Sequence, residues 1–161
     1  MEDERPKRKH PRLNNYDYSA CGAYFVTLCT QNKKCILSRV VEKNIEKTPF
    51  GEIAERFFAE IEKRYAFIRI KQYVIMPNHI HFILFMEPNA LGTDSRPTLS
   101  DIVRAYKSLV TAACKKVKPI DKVFQTSFYE HIIRNRQDYD DISRYIKDNP
   151  ARWYYDKLYN E

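Results

Sequence analysis

Two runs of β-forming residues, joined by a three-residue turn, constrain the fold of this 161-residue chain more than any other feature. Residues 67–75 and 79–86 are rich in β-branched and aromatic side chains, which favour strands. Between them lies Met76-Pro77-Asn78, in which proline fixes φ and asparagine tolerates turn geometry. A connection this short joins antiparallel strands, so the sequence predicts a β-hairpin.

Helical and extended segments alternate around this hairpin. Apolar residues at Ile53, Phe57, Ile61 and Tyr65 recur at helical spacing and predict a helix over 51–65. The other predicted elements are a strand over 24–30, a helix capped by Thr98 or Ser100, a fourth strand within 123–134, a helix over 138–148 and a short terminal helix over 151–159. The mixed, polar segment 31–50 receives no assignment.

This order of elements predicts an α+β fold in which helices cover one face of an antiparallel sheet. The layout is that of a ferredoxin-like or RNA-recognition-motif-like palm, whose other sheet face stays open for a site. We expect one such domain over residues 21–161, preceded by a basic arm over residues 1–20. The layout alone does not choose a function.

Composition excludes several classes of protein. No stretch approaches the roughly 18 apolar residues of a membrane helix, and the N-terminus lacks the apolar core of a secretion signal, so we expect a cytoplasmic protein. The four cysteines form no Cys-x-x-Cys pair, which argues for free thiols and against a zinc knuckle. Three glycines are too few for a glycine-rich phosphate loop.

The charge favours a polyanionic partner such as nucleic acid. The formal net charge is +7 with a pI of about 9.2, and residues 98–136 alone hold eight basic against three acidic side chains. For each basic residue the alternative is simple solvation. The candidate DNA contacts are Lys7, Arg8, Lys9 and Arg12 in the arm, Arg104, Lys107, Lys115 and Lys116 on the second long helix, and Arg134 and Arg136 at and beyond the end of the predicted fourth strand.

Two residue pairs have spacings that suit chemistry. On a strand, His79 and His81 project from the same face, and two adjacent imidazoles form half of a metal site. The alternative is two ordinary histidines on a half-exposed strand. On the helix 138–148, Tyr145 and Asn149 are four residues apart and therefore neighbours. Here the alternative is a packing tyrosine and an asparagine that caps the terminal helix.

Several short motifs, in order along residues 10–152, resemble one family. They are Tyr16-Asp-Tyr-Ser19, Gly22-Ala-Tyr-Phe-Val-Thr-Leu-Cys-Thr30, Val74-Ile-Met-Pro-Asn-His-Ile-His-Phe-Ile-Leu84, Ile102-Val-Arg-Ala-Tyr-Lys-Ser108, Phe128-Tyr-Glu-His-Ile-Ile-Arg134 and Tyr145-Ile-Lys-Asp-Asn-Pro150. The chain thus resembles the REP-associated tyrosine transposases, a branch of the insertion-sequence-200-like single-tyrosine transposases in the HUH superfamily. His79-Ile80-His81 matches the His-hydrophobic-His segment that names the superfamily.

The resemblance implies an enzyme that cleaves and rejoins DNA. By analogy, Tyr145 is the nucleophile that forms a 5′-phosphotyrosine, and His79, His81 and Asn149 bind Mg²⁺ or Mn²⁺. The expected partner is single-stranded DNA bearing a hairpin, in the bacterial cytoplasm at the nucleoid. Relatives are often homodimers, although the residues give no independent sign of this.

Two other functions stay open from the residues. One is a non-catalytic or domesticated DNA- or RNA-binding regulator on the same fold. The other, a zinc hydrolase, is weaker because no nearby glutamate completes a recognised zinc pattern. His131 is either a further site residue or a structural histidine on a strand, and the structural role is favoured.

Overall fold

The computed structural model describes residues 22–87 and 96–160. Its strands are β1 (Gly22–Cys29), β2 (Ser38–Val41), β3 (Asn44–Lys47), β4 (Ile68–Ile75), β5 (His79–Met86) and β6 (Tyr129–Ile133). Its helices are α1 (Pro49–Arg64), α2 (Leu99–Val117) and α3 (Arg136–Asp148), with 3-10 helices at Gln31–Lys33 and Pro150–Tyr155. Within these residues, no helix combines the length and the apolar character that crossing a membrane requires.

The main sheet has four antiparallel strands in the order β4-β5-β1-β6. Together with α1 after β1 and α2 after β5, this order is the ferredoxin-like β-α-β-β-α-β arrangement that the sequence predicts. The β4–β5 hairpin turns at residues 76–78 as expected, and β5 lies between β4 and β1. A side chain on β5 is therefore flanked by neighbours on both sides.

One face of the sheet packs against α1 and α2 and forms the larger core. Alternate residues of β1 and β5 face these helices, among them Val26, Leu28, Ile80 and Phe82, all of them buried. Both helices begin where capping chemistry allows it. Thr48 accepts from the N–H of Gly51, and Thr98 forms a capping box with Asp101, so the predicted cap at Thr98 is confirmed.

The opposite face receives the other set of alternating residues and is covered in part by α3. Ile146 of α3 packs in a second, smaller cluster with Val74, Met76, Ile83 and Trp153. Asn135 caps this helix by accepting from the N–H of Asp138. The helix therefore lies over the same sheet face as the two histidines of β5.

Two segments differ from the expectations. Residues 31–50, left unassigned from the sequence, contain a 3-10 turn and the short β2–β3 hairpin. The terminal helix over 151–159 is instead a 3-10 helix at Pro150–Tyr155. Its proline start and its length of only six residues give no apolar repeat that sequence periodicity could detect. The basic arm, with Lys7, Arg8, Lys9 and Arg12, lies outside the described residues.

Candidate active site

Two buried histidines on β5 form the centre of the candidate site. His79 is 0% and His81 4% exposed, and their ring centroids are 4.6 Å apart. The Nδ1 atom of His79 lies 2.8 Å from Asn78 Oδ1, and that of His81 lies 2.7 Å from Thr27 Oγ1. Thr27 is the direct cross-strand partner of His81, which explains the second contact. Both Nε2 atoms are buried without a hydrogen bond.

Burial keeps both imidazoles neutral at neutral pH. Loss of hydration lowers the pKa of His79 to about 4, partly opposed by the charge of Asp156 and by an interaction with Asn149. Burial, together with the neighbouring His79, lowers the pKa of His81 well below its usual value. A neutral imidazole whose Nδ1 carries the proton and donates it to such an oxygen has its Nε2 lone pair free for a ligand.

A carboxylate from the C-terminal segment completes a group of three donors. Oδ2 of Asp156 lies 3.6 Å from His79 Nε2, and donor atoms of His79, His81 and Asp156 all lie within 4.8 Å of one another. Donors bonded to one ion at about 2.1 Å lie roughly 3 to 3.5 Å apart when they are adjacent in its coordination shell. His79 and Asp156 are close to that spacing as they stand.

The sequence prediction omitted Asp156. This residue is 75 positions beyond His81 and follows a 3-10 helix, so no local spacing relates it to the histidines. An acidic residue near the C-terminus was the only signal present, and such residues are common.

Asn149, the amide ligand implied by the resemblance, lies beside His79. It is 3% exposed, its side chain interacts with His79, and its Oδ1 is buried without a hydrogen bond. Asn149 does occupy the N-cap position of the second 3-10 helix, but its side chain makes no capping bond there. The amide oxygen is therefore available to a ligand at this site.

Tyr145 is the exposed member of the group. Its ring lies 5.3 Å from the ring of His81 and 6.1 Å, edge-on, from that of Phe25 on β1. Its side chain is 45% exposed at a cavity of about 270 Å³, lined also by Asp141, Arg144, Asp148 and Arg152. The fold thus brings a solvent-accessible phenol against one of the paired imidazoles, with two arginines at the same cavity.

A second, larger cavity lies on the other side of the sheet, between α2 and residues 122–128. Its volume is about 660 Å³. Its cationic lining residues are Arg104, Lys107, Lys115 and Lys122; hydroxyls line it as well, and the lining includes no acidic residue. We call it the basic cleft. Such a surface suits phosphate groups.

The predicted DNA contacts are distributed unevenly relative to this cleft. Arg104, Lys107 and Lys115 line it, whereas Lys116, Arg134 and Arg136 are not among its lining residues. The ammonium group of Lys107 donates to the carbonyls of Gln125 and Thr126 at 2.8 Å each, so it also holds the wall of the cleft.

Charged partners also surround the start of α3. Arg136 Nε donates to Asp140 Oδ1 at 3.0 Å, one turn along the helix. His131 Nε2 lies 2.8 Å from Asp138 Oδ2 and so links β6 to the first turn of α3. The structural role favoured for His131 stays a prediction.

The donor set fits a divalent metal ion. Two neutral imidazoles with unpaired Nε2 atoms lie together with a carboxylate, and the unpaired amide oxygen belongs to Asn149, whose side chain interacts with His79. An unsatisfied buried polar atom costs about 1–3 kcal/mol, so several together are explained by a ligand that they bind. Imidazole favours Zn²⁺, Cu²⁺ or Ni²⁺, while oxygen donors favour Mg²⁺ or Mn²⁺, so the mixed set alone does not identify the ion.

Comparison with known proteins identifies the family. Residues 17–149 match the family model described as "Transposase IS200 like". A curated protein of Haemophilus influenzae, described as an uncharacterized protein, is 32% identical over 167 residues, which cover 94% of this chain and 93% of that protein.

Two solved structures share the fold. A REP-associated tyrosine transposase bound to a REP hairpin superposes with a TM-score of 0.62 at 22% identity, covering 88% of this chain and 72% of that one. A protein of Deinococcus radiodurans, provisionally assigned as a transposase, superposes with a TM-score of 0.51 at 14% identity, covering 85% of this chain and 95% of that one. From the family match over most of its length, and the relative that is 32% identical over 94% of it, the chain belongs to the IS200-like transposase family.

Proposed function

We propose that this protein cleaves and rejoins single-stranded DNA that carries a hairpin, with Tyr145 as nucleophile and a divalent metal ion held by His79, His81 and Asp156. The observation that carries the proposal is the position of the Tyr145 ring, 5.3 Å from the ring of His81, which belongs to the donor group and has a buried Nε2 without a hydrogen bond. Asn149 is the further candidate ligand, through its unpaired Oδ1.

In the proposed reaction, the phenolic oxygen of Tyr145 attacks a phosphodiester phosphorus. A Tyr–O–P bond to the 5′ side forms, the bond from phosphorus to the 3′ oxygen breaks, and the phenolic proton ends on that oxygen as a 3′-hydroxyl. Attack by another 3′-hydroxyl on the same phosphorus reverses these steps and rejoins the DNA. When bound, Mg²⁺ or Mn²⁺ would polarise the phosphate oxygens as a Lewis acid.

This chain's own residues supply the surroundings of that step. Arg144 and Arg152 line the cavity at Tyr145 together with Asp141 and Asp148, and they are the side chains there that would donate to the phosphate. Thr27 and Asn78 orient the two imidazoles through their Nδ1 atoms. Exposure of the tyrosine allows a strand of DNA to reach it, while burial of the histidines excludes bulk water from the donors.

The partner proposed for the basic cleft is the phosphate backbone of the same DNA. The lining includes four cationic side chains and no acidic residue, which favours a polyanion, although Arg104 also lies 4.0 Å from Asp101 outside the lining. A structural relative was solved bound to a REP hairpin, which supports a DNA hairpin as the substrate class here. DNA bound in the cleft would have to pass the edge strand β6 to reach Tyr145.

A covalent-adduct assay tests the nucleophile. Wild-type protein incubated with a labelled single-stranded hairpin DNA and Mn²⁺ should give an adduct that survives denaturing electrophoresis, and a chelator should abolish it. Tyr145→Phe should remove the adduct, because the substitution deletes only the attacking oxygen. Peptide mass spectrometry should place the DNA on Tyr145.

The matched control is Tyr155→Phe, which makes the same chemical change at a tyrosine that is 91% exposed on the neighbouring 3-10 helix. It should form the adduct normally. An adduct that persists in Tyr145→Phe contradicts the proposed nucleophile. Tight binding of the hairpin without any adduct in the wild type would instead favour the alternative function, a non-catalytic nucleic-acid-binding regulator.

A further inference from the structure

Asn78 lies in the turn between β4 and β5, immediately before the histidine pair, and its backbone is held firmly. The residue is 1% exposed. Its carbonyl accepts from the N–H of Thr30 at 2.9 Å and from Thr30 Oγ1 at 3.1 Å, where β1 ends. The side chain of Asn78 therefore starts from a well-defined position. Its amide oxygen can accept a hydrogen bond on one side while its amide nitrogen donates on the other.

The amide orientation follows from its partners. Nδ2 of Asn78 donates to the carbonyl of Leu158 at 2.6 Å and lies 3.4 Å from the carbonyl of Lys33. Two carbonyl acceptors require the NH₂ group on that side, so Oδ1 faces His79 Nδ1 at 2.8 Å as an acceptor. His79 must then carry its proton on Nδ1, which leaves the Nε2 lone pair directed into the donor group.

Leu158 links the same asparagine to the carboxylate of the site. Its carbonyl accepts from Asn78, and its backbone N–H donates to Asp156 Oδ1 at 2.8 Å. With Oδ1 occupied in this way, Oδ2 of Asp156 is the oxygen that faces His79 Nε2 at 3.6 Å. A short series of hydrogen bonds therefore runs from Asn78 through Leu158 to the second oxygen of Asp156.

We infer that Asn78 is a positioning residue that fixes the orientation of two metal ligands. It acts on His79 directly and on Asp156 through the backbone of Leu158. The C-terminal segment 156–158 is then an integral part of the metal centre rather than a tail beside it. Thr27 acts differently, because it contacts His81 alone among the three ligands. The inference rests on the proposed metal centre and adds the residue that couples its parts.

Binding of Mn²⁺ in the absence of DNA tests this coupling, with free Mn²⁺ measured by electron paramagnetic resonance. Asn78→Ala should weaken Mn²⁺ binding about tenfold or more, as loss of a partner behind a metal ligand commonly does. Asn44→Ala is the matched control, since Asn44 is exposed in the β2–β3 hairpin and its amide bonds the carbonyl of Glu42. It should leave Mn²⁺ affinity unchanged.

A double-mutant cycle separates coupling from general damage. Asn78→Ala and Asp156→Asn together should weaken binding by clearly less than the product of their separate effects, because both act on Asp156. When Thr27→Val and Asp156→Asn are combined, the loss of Mn²⁺ affinity should equal the product of their separate effects. A chain that ends after Lys157 lacks Leu158 but keeps Asn78 and His79, and it should also bind Mn²⁺ more weakly. This shortened chain replaces Asn78→Ala as the test if that variant fails to fold.

The contradicting results are distinct. If the wild type binds Mn²⁺ and Asp156→Asn weakens it, but neither Asn78→Ala nor the shortened chain has an effect, the inference about Asn78 is wrong and the metal centre stands. Multiplicative effects of Asn78→Ala and Asp156→Asn would also overturn the coupling. If the wild type does not bind Mn²⁺ at all, the proposed metal centre fails, and the inference with it.

Discussion

Buried polar side chains are few among the described residues, and most of them gather at one place. Thr27, Asn78, His79, His81 and Asn149 are all below 10% exposure and all lie at the candidate metal centre or directly behind it. The side chains of Thr27 and Asn78 contact the Nδ1 atoms of the two histidines. The Nε2 atoms of both histidines and the Oδ1 atom of Asn149 have no hydrogen bond. A cluster arranged only for stability would pair these atoms, so their arrangement indicates a ligand.

The buried histidines should make the metal-free protein sensitive to acid. The pKa of His79 is about 4 in the folded chain against 6.5 for an unperturbed imidazole, so the unfolded chain binds the extra proton first. The free energy of unfolding should therefore be highest above about pH 6.5 and should fall as the pH drops towards about 4. For His79 alone the loss is about 3 kcal/mol. Urea unfolding with a chelator present measures it.

The variant His79→Gln provides the comparison, because its amide does not titrate in this range. Its unfolding free energy should decline less steeply than that of the wild type between about pH 6.5 and about pH 4. Equal slopes for the two proteins would show that the buried imidazole is not the group responsible.

At the scale of elements, one close backbone approach fixes where α1 starts relative to the chain before it. A Cβ atom placed on Gly51 would lie 2.0 Å from the carbonyl oxygen of Leu37, which is backbone and cannot move aside easily. The same carbonyl accepts from the N–H of Thr48, the cap of α1. Glycine is thus required here by space rather than by backbone angles.

Gly51→Ala should therefore destabilise the protein by about 2 kcal/mol or more, despite the higher helix propensity of alanine. Gly22→Ala is the matched control: its added Cβ would meet its nearest atom, the hydroxyl of Tyr24, at 3.9 Å. That variant should stay within about 1 kcal/mol of the wild type. Thermal and urea unfolding measure both, and equal stability of the two variants would contradict the steric argument.

At the scale of the whole molecule, the sheet separates two candidate functional surfaces. The basic cleft lies against α2 on one face, and the histidines and Tyr145 lie with α3 on the other. Phe128 lines the cleft, while Tyr129, the next residue, pairs with Thr27 on the histidine side. The two surfaces meet at this end of β6. DNA binding and metal binding should therefore respond to different substitutions.

Reversing two charges in the cleft, Arg104→Glu with Lys115→Glu, should weaken hairpin binding at least tenfold near physiological salt. The dependence of log affinity on log salt should become shallower by about 2, because two phosphate contacts are lost. Mn²⁺ affinity should not change. Fluorescence anisotropy of a labelled hairpin across a salt series measures both the affinity for DNA and its salt dependence.

Lys63→Glu with Lys71→Glu is the control of equal charge, at exposed positions near the end of α1 and on the edge strand β4. It should weaken hairpin binding far less. If both pairs reduce affinity equally, net charge rather than the cleft governs binding, and the assignment of the cleft fails.

The sequence by itself determined the parts of this protein that depend on local repetition. Runs of β-branched and aromatic residues located four strands, and apolar residues at helical spacing located three helices, which together give the ferredoxin-like order. The side-chain periods of a strand and a helix then placed His79 with His81 on one strand face and Tyr145 with Asn149 on one helix face. Residues this close in the chain are brought together by secondary structure alone.

Only the tertiary structure decided what joins these pairs. Asp156 reaches His79 because the chain turns back after α3, and Asn78 bonds a carbonyl 80 residues away. Such contacts are set by the packing of separate elements, and no pattern within either segment encodes them. The burial that keeps the imidazoles neutral has the same origin, since it depends on which helix covers that face of the sheet.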